Sequence, residues 1–291
     1  LAGRLRGLAM IREQGPEDRT QIEALLTARI TEAMFPLVNL RDHGLAKGDF
    51  PGPHEHALRF WRTGDSLIAL TRAGILLPLL DGIPDLSGLK ATLHGLKVTG
   101  AVGPAASARP ILNALGLDGL PANTNRDEPG LTLDLTRLAI PDRPGTALRP
   151  IVPDDLPLLS DWREAYVGEV LGQTGTSARI RAEAELASYL ANDSHRLLLD
   201  HGTPVAMTGF NATLPEIVQV GGVYTPPELR GKGYARRAVA LHLAEARASG
   251  VIRAVLFAAS DAAARAYRAI GFQPAKPFTL FLLATPARIE A

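Results

Sequence analysis

The amino-acid sequence predicts a mixed α/β protein built from two domains in tandem. Its 291 residues, of which 46% are hydrophobic, suffice for two domains that each bury a core. In the second half, strand-like and helix-like segments follow the order β-α-α-β-β-β-α-β-α-β, which describes a mixed sheet with one helical crossover. The first half loosely echoes this order, so we predict that it is a degenerate repeat.

Two prolines and a glycine in residues 141–145 predict the boundary, which gives domains 1–144 and 145–291. In the second domain we expect strands over 146–151, 196–199, 204–211, 217–225, 252–257 and 279–283. Helices are predicted over 156–170, 177–190, 232–249 and 261–270, with Leu158 and Ile180 on buried faces and Gly250 ending the third helix. In the first domain, the patterns predict helices over 20–34 and 107–115 and strands over 58–61, 66–71, 74–79 and 97–102.

Charge and cysteine content exclude several classes of function. A net charge of +1 argues against nucleic acid or an anionic membrane as the main partner. The chain has no cysteine, which excludes disulfides, thiolate metal sites and a cysteine nucleophile. Residues 1–10 lack the apolar core of a secretory signal, and no apolar run is long enough to span a bilayer. We therefore expect a soluble, cytoplasmic protein.

The stretch with the clearest chemistry is a glycine-rich loop between a predicted strand and a predicted helix, Arg230-Gly231-Lys232-Gly233-Tyr234-Ala235. The start of a helix presents unpaired backbone N–H groups and the positive end of the helix dipole, so it attracts anions. Glycines let the backbone approach a diphosphate closely, and Arg230, Lys232, Arg236 and Arg237 add positive charge. These features predict a phosphate-binding loop.

Spacing separates this loop from two better-known phosphate loops. The P-loop requires a hydroxyl residue after its lysine, but Gly233 follows Lys232. The dinucleotide-binding fingerprint requires a small residue where Arg236 stands. The remaining pattern, R-G-x-G-x-A, resembles the central motif of the GNAT acyltransferase superfamily. The stretch from Ser260 to Phe272, with Tyr267-x-x-x-Gly271-Phe272, resembles a later element of that superfamily, except that Ser260 or Asp261 stands in place of its first asparagine.

The resemblance covers roughly residues 146–283 and implies direct transfer of an acetyl group from acetyl-CoA to a primary amine, without a metal. It implies that Val223, Tyr224 and Thr225 bind the pantetheine arm beside a bulge at Gly221-Gly222, with Ser260 near that arm. The N–H of Val223 would stabilise the oxyanion, and the Tyr267 phenol would protonate the leaving thiolate. Glu216, at the start of the strand that leads to Gly221, is our first candidate for the general base.

Several alternatives stay open from the sequence. The acceptor is a small molecule or a peptide amine, and a homodimer is a possible assembly. A mycothiol-type or aminoacyl-transferring tandem enzyme and a non-catalytic acyl-CoA-binding regulator are the other functions considered. His54 and His56 lie near His43, but two histidines separated by one residue in a Gly/Pro-rich loop favour a solvated loop over a metal site. In the first half, residues 100–105 are expected at the place of a phosphate loop, but they lack the arginine, and Pro104 lacks an N–H.

Overall fold

A computed structural model describes residues 10–290 and divides them into two compact units. Unit 1 comprises the chain up to Asp127 together with the residues from Pro277 onward, and unit 2 is Glu128–Lys276. The units are therefore divided at other residues than the predicted 144/145 boundary. The predicted lack of a secretory signal concerns residues 1–10, of which 1–9 lie outside the described part.

Strands and helices are interspersed along the whole of residues 10–290. In chain order the strands are β1 (Arg12–Glu13), β2 (Leu58–Thr63), β3 (Ser66–Thr71), β4 (Ile75–Leu79), β5 (Lys97–Pro104), β6 (Ala122–Asp134), β7 (Thr146–Pro150), β8 (His195–Asp200), β9 (Thr203–Leu214), β10 (Ile217–Tyr224), β11 (Arg253–Phe257) and β12 (Gln273–Arg288). The helices are α1 (Arg19–Ala28), α2 (Ile30–His43), α3 (Leu89–Thr92), α4 (Ala105–Leu115), α5 (Leu156–Leu171), α6 (Thr176–Ala191), α7 (Tyr234–Ala248) and α8 (Asp261–Arg268).

Each unit contains a mixed sheet, and the two sheets have the same strand order. Unit 2 has the order β7-β8-β9-β10-β11-β6, with β10 parallel to β11 and the other neighbours antiparallel. Unit 1 has the order β1-β2-β3-β4-β5-β12, with β4 parallel to β5 and the other neighbours antiparallel. This confirms the predicted mixed α/β fold and the predicted repeat of element order.

The sixth strand of each sheet comes from an unexpected part of the chain. The last strand, β12, pairs with β5 of unit 1, where Phe281 faces Ala101. The later part of β6 pairs with β11 of unit 2, where Leu131 faces Leu256. Each sheet is thus completed by a segment that the sequence order assigns to the other half, which is why a single cut along the chain does not separate the units.

Local chemistry explains where the main helices of unit 2 begin and end. Before α5, the carboxylate of Asp155 accepts the Val152 N–H at 2.9 Å and pairs with Arg149 at 2.7 and 2.8 Å. A carboxylate at this position satisfies an amide that the helix leaves unpaired. After α7, Gly250 has φ +98°, which confirms the predicted glycine stop.

Unit 2 buries apolar side chains on both faces of its sheet. One face packs against α7 and α8 through a cluster that includes Val218, Leu243 and Phe272. The other packs against α5 and α6 through a cluster that includes Leu159, Leu186 and Met207. The predicted burial of Leu158 and Ile180 is wrong, because their side chains are 39% and 62% exposed. Both follow the helical period only approximately and point away from the sheet.

Two further predictions about elements are corrected. The helix predicted over 20–34 is interrupted at Arg29, whose φ and ψ of −124° and 38° leave the helical region. Its guanidinium instead donates to the Leu80 carbonyl and the Glu32 carboxylate, both at 2.7 Å. Strand β6 was not predicted, since its first half is rich in Asn, Asp and Arg, residues with low strand propensity.

Candidate active site

A cleft opens in unit 2 where two parallel strands separate. Strands β10 and β11 pair from Ile217 with Arg253 to Val220 with Leu256, and the pairing ends there. Beyond this point, β10 continues to Tyr224 along the rim of the cleft. Val223 of β10, Ala259 after β11, Ala263 and Tyr267 of α8, and Tyr166 and Val170 of α5 line it. Backbone groups on the free side of β10 can therefore bind an extended ligand arm.

A bulge in β10 re-aims its backbone at the cleft. The register against β9 shifts between Gly221 and Tyr224, and Gly222 has φ +61°, which glycine tolerates best. This is the position where a bulge was predicted. The shift turns the peptide between Gly222 and Val223 toward the lining of the cleft, where both residues lie.

A buried histidine fills the space beneath this bulge. His195 on β8 is fully buried, and its ring stacks on Tyr189 at 3.4 Å between centroids. The ring lies over Gly209 of β9, where a Cβ would overlap it, and a Cβ at Gly222 would lie 2.5 Å from its Nε2. The two glycines thus make room for an imidazole that spans β9 from one edge to the bulge.

Replacing Gly209 by alanine should destabilise unit 2 by about 2–3 kcal/mol, because the new methyl group overpacks a buried ring. Denaturant unfolding measures this change. Gly119→Ala is the control: like Gly209, this glycine does not have a positive φ, but it has no neighbour within 4 Å of its Cβ position. Equal stabilities of the two variants would show that the His195 ring does not set the cost.

A second buried histidine makes stability depend on pH. Burial is the main cause that lowers the pKa of His242 from 6.5 to about 3, and the charge of Arg196 adds to it. Below about pH 6.5, His242 binds a proton in the unfolded chain but not in the folded chain. The free energy of unfolding therefore falls as pH decreases. From pH 7 to 4.5, His242 should account for a loss of about 2.5 kcal/mol, because the slope below pH 6.5 is about 1.4 kcal/mol per pH unit.

Comparing the pH dependence of unfolding in wild type and His242→Phe checks this value, since phenylalanine keeps the stacking on Phe210. If His242→Phe leaves the pH dependence unchanged, His242 is not the group that titrates.

The glycine-rich loop and the first turn of α7 present a series of consecutive backbone N–H groups. Gly231 and Gly233 have φ +76° and +81°, as their predicted role requires. Within residues 10–290, no acceptor takes the N–H groups from Gly231 to Arg236, and the first bonded amide is that of Arg237. The side chains of Lys232 and Arg236 are exposed at the same place. The amide of Ala235 lies in this first turn, so the loop can hold a diphosphate.

Two of the predicted basic residues, Arg230 and Arg237, have hydrogen-bond partners within unit 2. Arg230 donates to the Thr225 carbonyl at 2.9 Å and forms an ion pair with Glu169 of α5 at 2.8 Å. Arg237 donates to Thr146 Oγ1 and to the Pro141 carbonyl. Both guanidinium groups have partners within unit 2, and Arg230, Lys232 and Arg236 are all exposed at the loop.

The side chains of three other predicted ligand residues, Tyr234, Tyr224 and Ser260, have partners within unit 2. Tyr234 donates its hydroxyl to Asp200 at 2.5 Å, and its ring lies 4.0 Å from the Arg143 guanidinium carbon. The ring of Tyr224 is buried, and its centroid lies 6.0 Å from that of the Trp162 ring. Ser260 caps α8, because its Oγ accepts the Ala263 N–H at 3.2 Å. These side chains fix the loop and the helices around the cleft.

Two phenols meet at the cleft, and sequence reasoning found one of them. Tyr267 is 8% exposed, and burial, together with the nearby Tyr166, raises its pKa above the ordinary value of about 10. Burial likewise raises the pKa of Tyr166 on α5. Both phenols therefore stay protonated at neutral pH. Tyr166 was missed because, along the sequence, it is one more aromatic residue in an amphipathic helix.

The predicted base is not brought to the cleft. Glu216 lies in the turn between β9 and β10, where its carbonyl accepts the N–H groups of Ile252 and Arg253. Because a strand rises about 3.3 Å per residue, this end lies roughly 15–20 Å from the bulge. We therefore do not assign the base to Glu216.

The equivalent place in unit 1 is closed by its own side chains. After β4, the Leu80 N–H donates to Ser107 Oγ at 2.9 Å, and the Leu80 carbonyl accepts from Arg29 at 2.7 Å. The helix that follows, α3, has four residues, and the connecting residues 81–88 carry two aspartates and no basic residue. Strand order corrects the expected location, because residues 100–105 match the end of β11 and not the phosphate loop.

Within residues 10–290, no group of three or more His, Asp or Glu side chains is arranged to hold a metal ion. The rings of His43 and His54 stack at 3.9 Å, so their in-plane lone pairs do not converge. In the same residues, the helices are too short or too polar to cross a bilayer.

Comparison with known proteins agrees with this geometry. The sequence model of the Acetyltransferase (GNAT) family matches residues 158–272, which contain all the cleft residues and the glycine-rich loop. Residues 158–272 are a GNAT domain. No curated protein matches the chain.

Several solved structures share the fold at low sequence identity. A GCN5-related N-acetyltransferase from Kribbella flavida is 18% identical, with a TM-score of 0.56 over 89% of this chain and 95% of that one. One from Sphaerobacter thermophilus is 17% identical, with a TM-score of 0.54 over 97% and 96%. A tandem GNAT protein from the clavulanic acid biosynthesis pathway is 17% identical, with a TM-score of 0.52 over 97% and 99%. At these identities the likeness concerns the fold, and it extends over both units.

Proposed function

We propose that this chain is an N-acyltransferase that moves the acetyl group of acetyl-CoA to a primary amine. The observation that carries the proposal is the separation of β10 from β11 beyond Val220, next to a helix, α7, whose start presents six amides without an acceptor in residues 10–290. A strand edge and a diphosphate seat on consecutive elements suit a ligand that joins an amide-rich arm to a diphosphate. The GNAT domain at residues 158–272 supports acyl transfer in general.

The acyl donor is held by backbone groups in this proposal. The amides from Gly231 to Arg236 bind the diphosphate, and Lys232 and Arg236 add charge. The free edge of β10 near Val223 pairs with the pantetheine arm. This arrangement places the thioester at the bulge, between Tyr166 and Tyr267.

The reaction then needs little more than positioning and two proton transfers. The amine nitrogen attacks the thioester carbon, and the C–N bond forms while the N–H of Val223 stabilises the oxyanion. The intermediate collapses by breaking the C–S bond, and the phenol of Tyr267 gives its proton to the leaving thiolate. Burial keeps that phenol protonated until the thiolate forms.

Unit 1 has a supporting role in this proposal and takes no acyl donor. The strand end that would bind a pantetheine arm is occupied by Arg29 and Ser107, and the four-residue α3 presents no row of amides comparable with that of α7. One acyl-CoA per chain is the consequence.

Thiol release with a panel of primary amines tests the proposed function. The chain has no cysteine, so a thiol reagent reports CoA alone and gives no signal from the protein. We expect acetyl-CoA to bind and CoA to be released faster with one class of amine in the panel, which comprises amino acids, polyamines and amino sugars. Binding without release over the whole panel would favour an acyl-CoA-binding regulator instead.

A further inference from the structure

We propose that Glu128 is the general base that takes the proton from the acceptor amine. This assignment rests on the proposed acyl transfer. It concerns a residue that the GNAT-like motifs do not include, because Glu128 precedes them and lies on β6, the strand that completes the sheet of unit 2.

Strand register places Glu128 beside the cleft. Gly130 of β6 pairs with Phe257 of β11, and the Ala258 N–H donates to the Pro129 carbonyl at 3.0 Å. One further step along this antiparallel pair sets Glu128 opposite Ala259, which lines the cleft. Glu128 is 9% exposed, so its carboxylate is largely withdrawn from bulk water.

Side-chain alternation places Glu128 on the face of the sheet covered by α5. Leu131 and Leu133 of β6 point into the cluster that contains Tyr267. Since alternate residues of a strand face opposite sides, Glu128 points to the other side. Tyr166 of α5 lies there, and burial, together with the negative charge of Glu128, raises its pKa.

This placement puts an acid and a base on opposite sides of the reacting thioester. Tyr267 approaches from α8, on one face, and Glu128 lies on the face of α5. The C–N bond forms as the amine attacks, the amine proton moves to the Glu128 carboxylate, and the C–S bond breaks as Tyr267 protonates the sulfur. Proton exchange with solvent restores both groups after the products leave.

Glu169 of α5 and Glu185 of α6 form ion pairs with arginines of unit 2. Glu169 pairs with Arg230 at 2.8 Å. Glu185 bonds to Arg163 and to Arg181, at 2.5 and 2.9 Å. Arg163 is itself stacked over Tyr166, 4.2 Å from the ring centroid. Tyr166 of α5 is thus in contact with the Arg163–Glu185 pair.

Glu128→Gln keeps the shape of the side chain and removes its basicity, so it can be tested with two amines of matched size. Ethylamine is an ammonium ion at neutral pH and needs a base, whereas trifluoroethylamine is already a free amine. We expect Glu128→Gln to lower CoA release with ethylamine about 100-fold and to change it less than 10-fold with trifluoroethylamine. Acetyl-CoA affinity, measured by calorimetry, should not change.

Glu183→Gln is the control, because Glu183 is an exposed residue of α6 whose partner is Arg179. Equal losses with both amines, no loss with ethylamine, or weaker acetyl-CoA binding in Glu128→Gln would each overturn the assignment. Loss in Glu216→Gln with full activity in Glu128→Gln would return the role to Glu216. If the wild-type chain binds acetyl-CoA but releases no CoA with either amine or with the panel, the proposed function fails first, and the base assignment fails with it.

Discussion

Replacing Gly233 by valine is expected to weaken acetyl-CoA binding at least about 100-fold, which corresponds to about 2.7 kcal/mol. Gly233 has φ +81°, a conformation that a β-branched residue adopts only under strain. A Cβ there would also lie 3.1 Å from Nε of Arg236, whose side chain is exposed at the loop. The variant therefore both re-aims the amides and moves a charge.

The matched control for this prediction is Gly250→Val. Gly250 follows the opposite end of α7, has φ +98° and has no neighbour within 4 Å of its Cβ position. Both variants should lose stability through backbone strain, but only Gly233→Val should lose binding in a calorimetric titration with acetyl-CoA. Similar affinities for the two variants would contradict a diphosphate seat at the start of α7.

Tyr267→Phe is expected to lower kcat about 100-fold while leaving acetyl-CoA affinity unchanged, because a general acid acts on the leaving thiolate and not on the bound donor. The ring, with its edge contact to Phe272 at 6.2 Å between centroids, remains in place in this variant. Steady-state CoA release with the best amine of the panel, together with a calorimetric titration, separates the two quantities.

Tyr189→Phe is the control for the loss of a buried phenol. Tyr189 lies on α6 of the same unit, stacks on His195, and its pKa is raised by burial. It should keep kcat within a factor of about 3, a difference of less than about 1 kcal/mol. A kcat for Tyr267→Phe equal to that of the wild type would exclude the acid role.

The donor half of the site could be predicted from the sequence because its chemistry is local. The elements concerned follow one another in the chain: the loop with its two glycines, α7, β11 and α8, which carries Tyr267. Their spacing in the sequence therefore indicates how they are arranged in the fold. The bulge at Gly222 was predictable for the same reason, since a glycine pair at a strand end is itself the signal.

The acceptor half could not be predicted, because tertiary pairing creates it. The base that we propose, Glu128, is placed beside the cleft by the pairing of β6 with β11, two strands more than 100 residues apart in the sequence. Tyr166 reaches it through the packing of α5, and nothing in its local pattern marks it. Glu216 was chosen because it is close to Gly221 in the sequence. The extended strand β10 separates the two residues in space.

The two compact units divide at other residues than the predicted 144/145 boundary for a related reason. The prolines and glycine of residues 141–145 do mark a turn, but the sheet of unit 2 already begins at Glu128. Because β6 has a polar composition, its sequence did not indicate a strand. It is a strand because it pairs with β11, which lies much later in the chain.

Calorimetric titration of the wild-type chain with acetyl-CoA tests the central claim most directly, since that claim assigns one diphosphate seat to unit 2 and none to unit 1. The account predicts one equivalent bound per chain, with the heat of binding abolished by Gly233→Val and retained in Gly250→Val. An absence of binding, or two equivalents per chain, would contradict it.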